Sequence, residues 1–203
     1  MEEERWIKSV MISNKGMPEI IKVLKEKYPQ FDTTGIAEKA KEGYIPNPFF
    51  LEKSDKEEEK ALAGLLHREQ ALFLLSYIQL VLEKLFKEQV IENVEEIEKF
   101  LVVSADALAH AILLLIELPK MKDMALEMAP ALSQLVPICV MLKKENIAEE
   151  ILTLIFALTD KPSAIENKVD LTEAFARGFE EIELINIANE LRGISEKIRS
   201  EKR

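Results

Sequence analysis

Asp106 and His110 are the two residues of this chain whose types and spacing could do chemistry together. On an α-helix, residues four positions apart share one face and lie about 6 Å apart along the axis, so they can hydrogen-bond or hold one ion. The carboxylate could orient the imidazole as a general base, or both groups could be ligands of a metal completed from another helix. We favour the alternative interpretation, a satisfied polar pair inside a helix interface.

Residues 100–118 are otherwise apolar, and Glu117 is the remaining ionisable residue among them. It lies on the same helix face, within about 40° of Asp106 on a helical wheel. It follows His110 by about 10 Å along the helix axis, which is too far for both side chains to ligate one ion. We therefore expect Glu117 to be separate from the Asp106 and His110 pair.

The other histidine of the chain, His67, precedes the charged residues Arg68 and Glu69, and we expect it at the surface or in an interface. Neither histidine has a glutamate three positions before it, so the Glu-x-x-His pair of di-iron bundles is missing. The chain also lacks an HExxH sequence and a glycine-rich phosphate loop. We accordingly assign no metal and no cofactor, and consider a non-catalytic protein the stronger interpretation.

The charge balance argues against a dedicated nucleic-acid or anionic-membrane binder, because 37 acidic residues oppose 27 basic ones and the net charge is −10. Two short predicted helices in the first 50 residues could be taken for a helix-turn-helix. The second of them offers Lys39 and Lys41 beside glutamates, rather than the Arg, Asn or Gln that reads base edges. A nucleic-acid-associated regulator that uses these 50 residues is the third hypothesis.

The compartment is predicted to be the cytoplasm, since the acidic start after Met1 is unlike the positively charged start of a signal peptide. The apolar stretches at 100–118 and 128–142 contain charges or prolines, which favours burial in protein over a membrane span. A single cysteine, Cys139, excludes an internal disulfide. The many Glu and Lys residues, with few Asn and Gln, are typical of thermophile proteins.

The elements that must position these residues are predicted to be helices throughout. Residues 1–50 form a small N-terminal helical unit, and residues 54–203 form the main bundle. The predicted helices of the first unit cover 3–12, 18–28 and 34–42, and those of the second cover 55–89, 94–118, 120–144, 147–159 and 171–200. Capping residues and prolines determine these limits, and Gly43 is placed just after a helix end.

Apolar residues spaced alternately by three and four favour near-antiparallel packing, so the predicted fold is an all-α multi-helix bundle of about five long helices. A short α-solenoid is the alternative. Several helices are apolar on more than one face, which is more than one bundle core can enclose. We expect a homo-oligomer, most simply a dimer, and allow for a further protein partner.

Two apolar stripes are the predicted interaction residues, although core packing is the more common use of such stripes. They comprise Met121, Met124, Met128, Leu184, Ile187 and Leu191. Pro130 and Pro137 should bend the helix that carries the methionines, either to fit the core or to line a pocket. The first hypothesis is thus a self-associating assembly or adaptor protein. The alternative is a ligand-binding protein or an enzyme with a pocket near Asp106 and His110.

Overall fold

The computed structural model describes residues 6–8, 15–88 and 94–201. Within these ranges the protein is 81% helical, with nine helices and one two-stranded sheet, which confirms the predicted all-α multi-helix class. The elements in chain order are β1 (Trp6–Lys8), α1 (Gly16–Lys27), α2 (Thr34–Lys41), β2 (Tyr44–Pro46), α3 (Pro48–Leu51), α4 (Glu57–Glu88), α5 (Val94–Ile116), α6 (Lys122–Met141), α7 (Glu145–Asp160), α8 (Ile165–Glu181) and α9 (Ile185–Glu201).

The packing divides the chain into two compact units, Met1–Leu114 and Leu115–Arg203. In the first unit, α1 and α3 pack on α4, so the short N-terminal helices share a core with a long helix of the predicted main bundle. In the second unit, α6 packs on α7 and α8, and α8 packs on α9.

The prediction of a helix over residues 3–12 is wrong at its centre, where Trp6–Lys8 is strand β1. This strand pairs antiparallel with β2, with Trp6 opposite Pro46 and Lys8 opposite Tyr44. Pairing with a distant segment outweighs the weak local preference of such a short stretch, as is common for strands. The remaining residues of the predicted helix, 3–5 and 9–12, lie outside the described residues.

The start of the chain otherwise follows its local signals. The predicted helices over 18–28 and 34–42 match α1 and α2 to within about two residues, the usual precision of helix ends. Gly43 has a φ of 83° directly after α2. This left-handed conformation costs glycine nothing, and it turns the chain into β2.

The predicted single helix over 171–200 is wrong, because the structure has two helices there, α8 and α9. Glu183 has a φ of 63°, and the Leu184 N–H donates to the Phe179 carbonyl over 2.9 Å. This bond closes a Schellman motif, the common left-handed end of a helix. The motif was missed because glycine is its usual signature, and this chain uses a glutamate.

Two helices, Glu95–Ile116 and Lys122–Met141, are long and apolar enough to cross a membrane by length and composition alone. About half of each is buried inside the protein, and core helices of soluble proteins share these properties. The cytoplasmic location stays a prediction.

Candidate metal site

The segment before α4 positions one carboxylate of the candidate site, Glu52. Pro48 begins the short helix α3, and the Asn47 side chain caps it by accepting a 3.1 Å hydrogen bond from the Phe49 N–H. Glu52 follows as the last residue before the chain turns, and the Ser54 N–H donates to the Leu51 carbonyl. The sequence Asn47-Pro48 thus sets a tight turn that presents the Glu52 side chain towards α4.

Helix α4 supplies His67, and here the prediction of a surface or interface position is wrong. His67 is 2% exposed within the first unit. It lies on a stripe of buried residues spaced by three or four positions, which comprises Ala63, Ala71, Leu74 and Ile78. This stripe was the signal that could have found it, whereas Arg68 and Glu69 occupy neighbouring faces of the helix.

Helix α5 supplies His110 and Asp106. The Tyr77 ring of α4 meets the Phe100 ring of α5 edge to face, at a centroid distance of 5.1 Å. The imidazole rings of His67 and His110 also meet, with 5.0 Å between their centroids. Because the contact residue rises along α4 from 67 to 77 while its partner falls along α5 from 110 to 100, the two helices run antiparallel here.

The Glu52 carboxylate joins the two histidines. One of its oxygens, Oε1, lies 2.6 Å from His67 Nε2 and 3.3 Å from His110 Nδ1. One ligand atom from each of the three residues can be chosen so that no two are more than 4.8 Å apart. Three side chains from α4, α5 and the end of α3 therefore converge on one point.

The predicted Asp106 and His110 pair is present at the edge of this cluster. Asp106 Oδ1 lies 3.6 Å from His110 Nε2, the ring nitrogen that faces away from Glu52. This distance is an electrostatic contact rather than a hydrogen bond. The two nitrogens of His110 thus face two carboxylates, and the ring is held between them.

Burial has a direct electrostatic effect on His67. Desolvation lowers the pKa of His67 below its ordinary value of 6.5, and it outweighs the hydrogen bond and charge of Glu52, which favour the protonated ring. The His67 imidazole is therefore neutral at pH 7, with an N–H that donates to Glu52. A neutral imidazole is the form that ligates metals.

Phe49 borders both imidazoles. Its ring stands nearly perpendicular to those of His67 and His110, at centroid distances of 5.2 and 5.7 Å. Phe49 is nevertheless 52% exposed. The cluster therefore has an aromatic flank that also reaches solvent.

Exposure differs across the cluster. The His67 side chain is 2% exposed, whereas the side chains of Glu52 and His110 are 21% and 35% exposed. One side of the cluster is thus embedded in the protein and the other faces water.

The donor atoms fit a transition-metal ion. Around a tetrahedral zinc ion, ligand atoms at about 2.1 Å from the metal are roughly 3.4 Å from one another. The contacts of Glu52 with both histidines are already this short or shorter. Small side-chain rotations would place all three donors around one ion, provided that the His67 proton moves from Nε2 to Nδ1, which frees the Nε2 lone pair for the metal.

The third ionisable residue of the predicted face, Glu117, has a different role. It follows the end of α5, and its carboxylate accepts hydrogen bonds from the backbone N–H and the hydroxyl of Ser163, the former over 2.6 Å. Glu117 thereby fixes the loop before α8. The expectation that it does not share an ion with the Asp106 and His110 pair agrees with these contacts.

The predicted interaction residues all lie in the second unit. Met121, Met128 and Leu191 are buried, and Met124, Leu184 and Ile187 are partly buried. Burial of this kind matches the core use of such stripes. Pro130 and Pro137 both lie inside α6, as the sequence predicts.

Comparisons with protein families, with characterised proteins and with solved structures give no match to this chain.

Proposed function

We propose that the protein binds one divalent transition-metal ion through Glu52, His67 and His110. The observation that carries this proposal is the convergence of one ligand atom from each residue within 4.8 Å. Both histidines of the chain take part, although they belong to different helices. One carboxylate oxygen of Glu52 contacts both imidazoles, at 2.6 Å from His67 Nε2 and 3.3 Å from His110 Nδ1.

The donor set selects the class of metal. Two imidazole nitrogens and a carboxylate suit Zn²⁺, Co²⁺, Ni²⁺ or Fe²⁺, and the same set occurs in zinc hydrolases and in iron oxygenases. Mg²⁺ and Ca²⁺ require mostly oxygen ligands, so they do not fit. Glu52 and Asp106 bring two negative charges near the site, which balance a divalent cation.

Asp106 acts as a positioning residue in this proposal. Histidines that ligate metals commonly donate their other N–H to a carboxylate, which fixes the tautomer and the orientation of the ring. Asp106 faces His110 Nε2, while His110 Nδ1 faces Glu52. The pair that the sequence singled out thus supplies one ligand and its support.

The test is a titration of the purified, metal-free protein with Zn²⁺. Calorimetry measures the affinity and the number of ions bound, and ¹H–¹⁵N correlation spectra report the imidazoles. Only two histidines are present, so their signals can be assigned with the variant His110→Gln. We expect one ion per chain and shifts at both rings. Glu52→Gln should weaken binding at least tenfold, whereas Glu26→Gln, the same change on an exposed part of α1, should not.

Binding that persists unchanged in Glu52→Gln, or shifts at neither ring, would overturn the proposal. Because His67 is buried, a His67 variant could unfold, so the decisive variants are at the partly exposed Glu52 and His110. Circular dichroism of these variants shows whether they keep the helical fold.

A second candidate function is self-association, which the exposed face of α4 favours. Phe73 and Leu80 lie seven positions apart on this face, and both are exposed large apolar side chains. Tyr77 lies between them, in edge-to-face contact with Phe100 of α5 and with part of its ring exposed. Monomers seldom leave contiguous apolar patches open, so a second copy of the chain is the proposed cover.

Light scattering during gel filtration at micromolar concentration tests this second candidate. We expect a dimer, and Leu80→Glu should convert it to a monomer. Ile185→Glu is the matched control, since Ile185 is a similarly exposed apolar residue on α9. A monomeric wild-type protein, or a dimer that Leu80→Glu leaves intact, would contradict it.

A further inference from the structure

The metal site has fewer protein ligands than a closed site needs. Three residues, Glu52, His67 and His110, supply one ligand atom each. Structural zinc sites have four protein ligands, whereas catalytic sites have three and keep one position for water or substrate. Asp106 does not complete the set, because it faces the far nitrogen of His110.

The open coordination position of the ion would face the solvent side of the cluster. His67 is embedded in the first unit, while Glu52 and His110 are partly exposed. Water and small solutes can therefore approach an ion from the side of Glu52 and His110, and the buried side is closed by the core around α4.

Phe49 gives this open side a chemical preference. Its ring contacts both imidazoles edge to face, yet about half of it remains exposed. A ligand on the ion would approach from this exposed side, where the Phe49 ring borders both imidazoles, so an apolar group on the ligand could cover the exposed part of Phe49. Aromatic pairs of this kind are favourable beyond simple burial.

Resting on the proposed metal site, we infer that the bound ion keeps one exchangeable position, which takes small oxygen-donor anions that carry an aromatic group. Carboxylates and hydroxamates are the chemical class, since one of their oxygens replaces the water on the ion, a second can raise its coordination from four to five, and their charge balances that of the ion. Phe49 contacts the aromatic group and sets the preference. The ion is then available for catalysis or for ligand binding, and it is not a purely structural ion with all positions filled by protein.

The Co²⁺ form of the full chain tests this inference, because the visible spectrum of Co²⁺ reports each change of its ligands. The probes are benzohydroxamate and acetohydroxamate, which share the metal-binding group and differ in the aromatic ring. We expect both to change the spectrum, and benzohydroxamate to bind about fivefold tighter. The cobalt content after desalting must stay at one per chain, since a probe that strips the ion counts against the inference.

Two variants assign the preference to its residue. Phe49→Ala should bring the two affinities within about twofold of each other. Phe50→Ala, a neighbour on α3 with similar exposure, should keep the wild-type preference. Equal affinities in the wild type, or a preference that survives Phe49→Ala, would overturn the role of Phe49 and with it the inferred ligand class.

The outcomes also separate the inference from the proposed function. Co²⁺ that binds but whose spectrum neither hydroxamate changes means a closed site, which overturns the inference and leaves the metal site standing. Co²⁺ and Zn²⁺ that both fail to bind overturn the proposed function and the inference together.

Discussion

The imidazole rings of His67 and His110 lie 5.0 Å apart, although α4 and α5 carry them separately. Glu52 Oε1 reaches both rings from the end of α3. The contact matters because it helps to bring one candidate ligand atom from each of Glu52, His67 and His110 within 4.8 Å of the others.

Asp106→Asn tests the support of His110. The substitution keeps the size of the side chain and removes its charge, so His110 Nε2 then faces a neutral amide in place of a carboxylate. We expect the affinity for Zn²⁺ to fall about tenfold to a hundredfold, the usual effect of removing an outer carboxylate. Calorimetry measures it, and Asp123→Asn on α6 is the control that should leave the affinity unchanged. An unaltered affinity for Zn²⁺ in Asp106→Asn would show that Asp106 does not support His110 as a metal ligand.

The pH dependence of stability should reflect His67. Burial holds its pKa below 6.5 in the folded state, so the folded protein binds fewer protons than the unfolded chain as the pH falls below 6.5. The contribution of His67 is therefore fully present above pH 6.5 and is lost as the pH falls through the folded-state pKa. The groups that face it are Glu52, His110 and Asp106.

Urea unfolding of the metal-free protein at pH 7.5 and 5.0 measures this loss. The variant His67→Gln, once circular dichroism shows that it keeps the helical fold, has no such group and should lose less free energy of unfolding between the two pH values than the wild type. Equal losses in both proteins would show that His67 does not control the acid response.

Gly178 on α8 is required by close packing against α6. A Cβ atom there would lie 2.8 Å from Pro130 Cα and 2.9 Å from Ser133 Oγ. Because the nearest atom is backbone, Gly178→Ala should lower the free energy of unfolding by about 1–3 kcal/mol. In contrast, Gly193 on α9 has open space around it, and Gly193→Ala should raise stability by about 0.5–1 kcal/mol. Thermal or urea unfolding measures both changes in the free energy of unfolding. A Gly178→Ala protein as stable as the wild type would contradict the close packing of α8 on α6.

Glu183 ends α8 in a left-handed conformation, with a φ of 63°. Since such a conformation costs a residue with a Cβ about 1 kcal/mol or more, Glu183→Gly should stabilise the protein by about 1 kcal/mol. The control, Arg177→Gly, replaces an exposed residue inside α8 with glycine and should destabilise the protein by about 0.5–1 kcal/mol. Urea unfolding at neutral pH gives both values. Destabilisation by Glu183→Gly would mean that the glutamate side chain contributes more than the backbone strain costs.

The helices of this protein were largely predictable because their signals are local. Three-four spacing, prolines and capping residues predict α4, α5, α6 and α7 close to their observed limits. The gap between α8 and α9 was not predictable in this way, because Glu183 lacks the glycine signature of its turn. Strand β1 likewise forms by pairing with β2, a segment far along the chain, and no local pattern predicts that pairing.

By itself the amino-acid sequence determined the all-α class and the Asp106 and His110 pair, since both follow from spacing within a helix. Only the tertiary structure decided that His67 is buried and that Glu52 joins the two histidines. The physical reason is that a helical pattern determines which residues share a face, whereas packing between helices determines which faces meet. The candidate metal site exists only where three such elements come together.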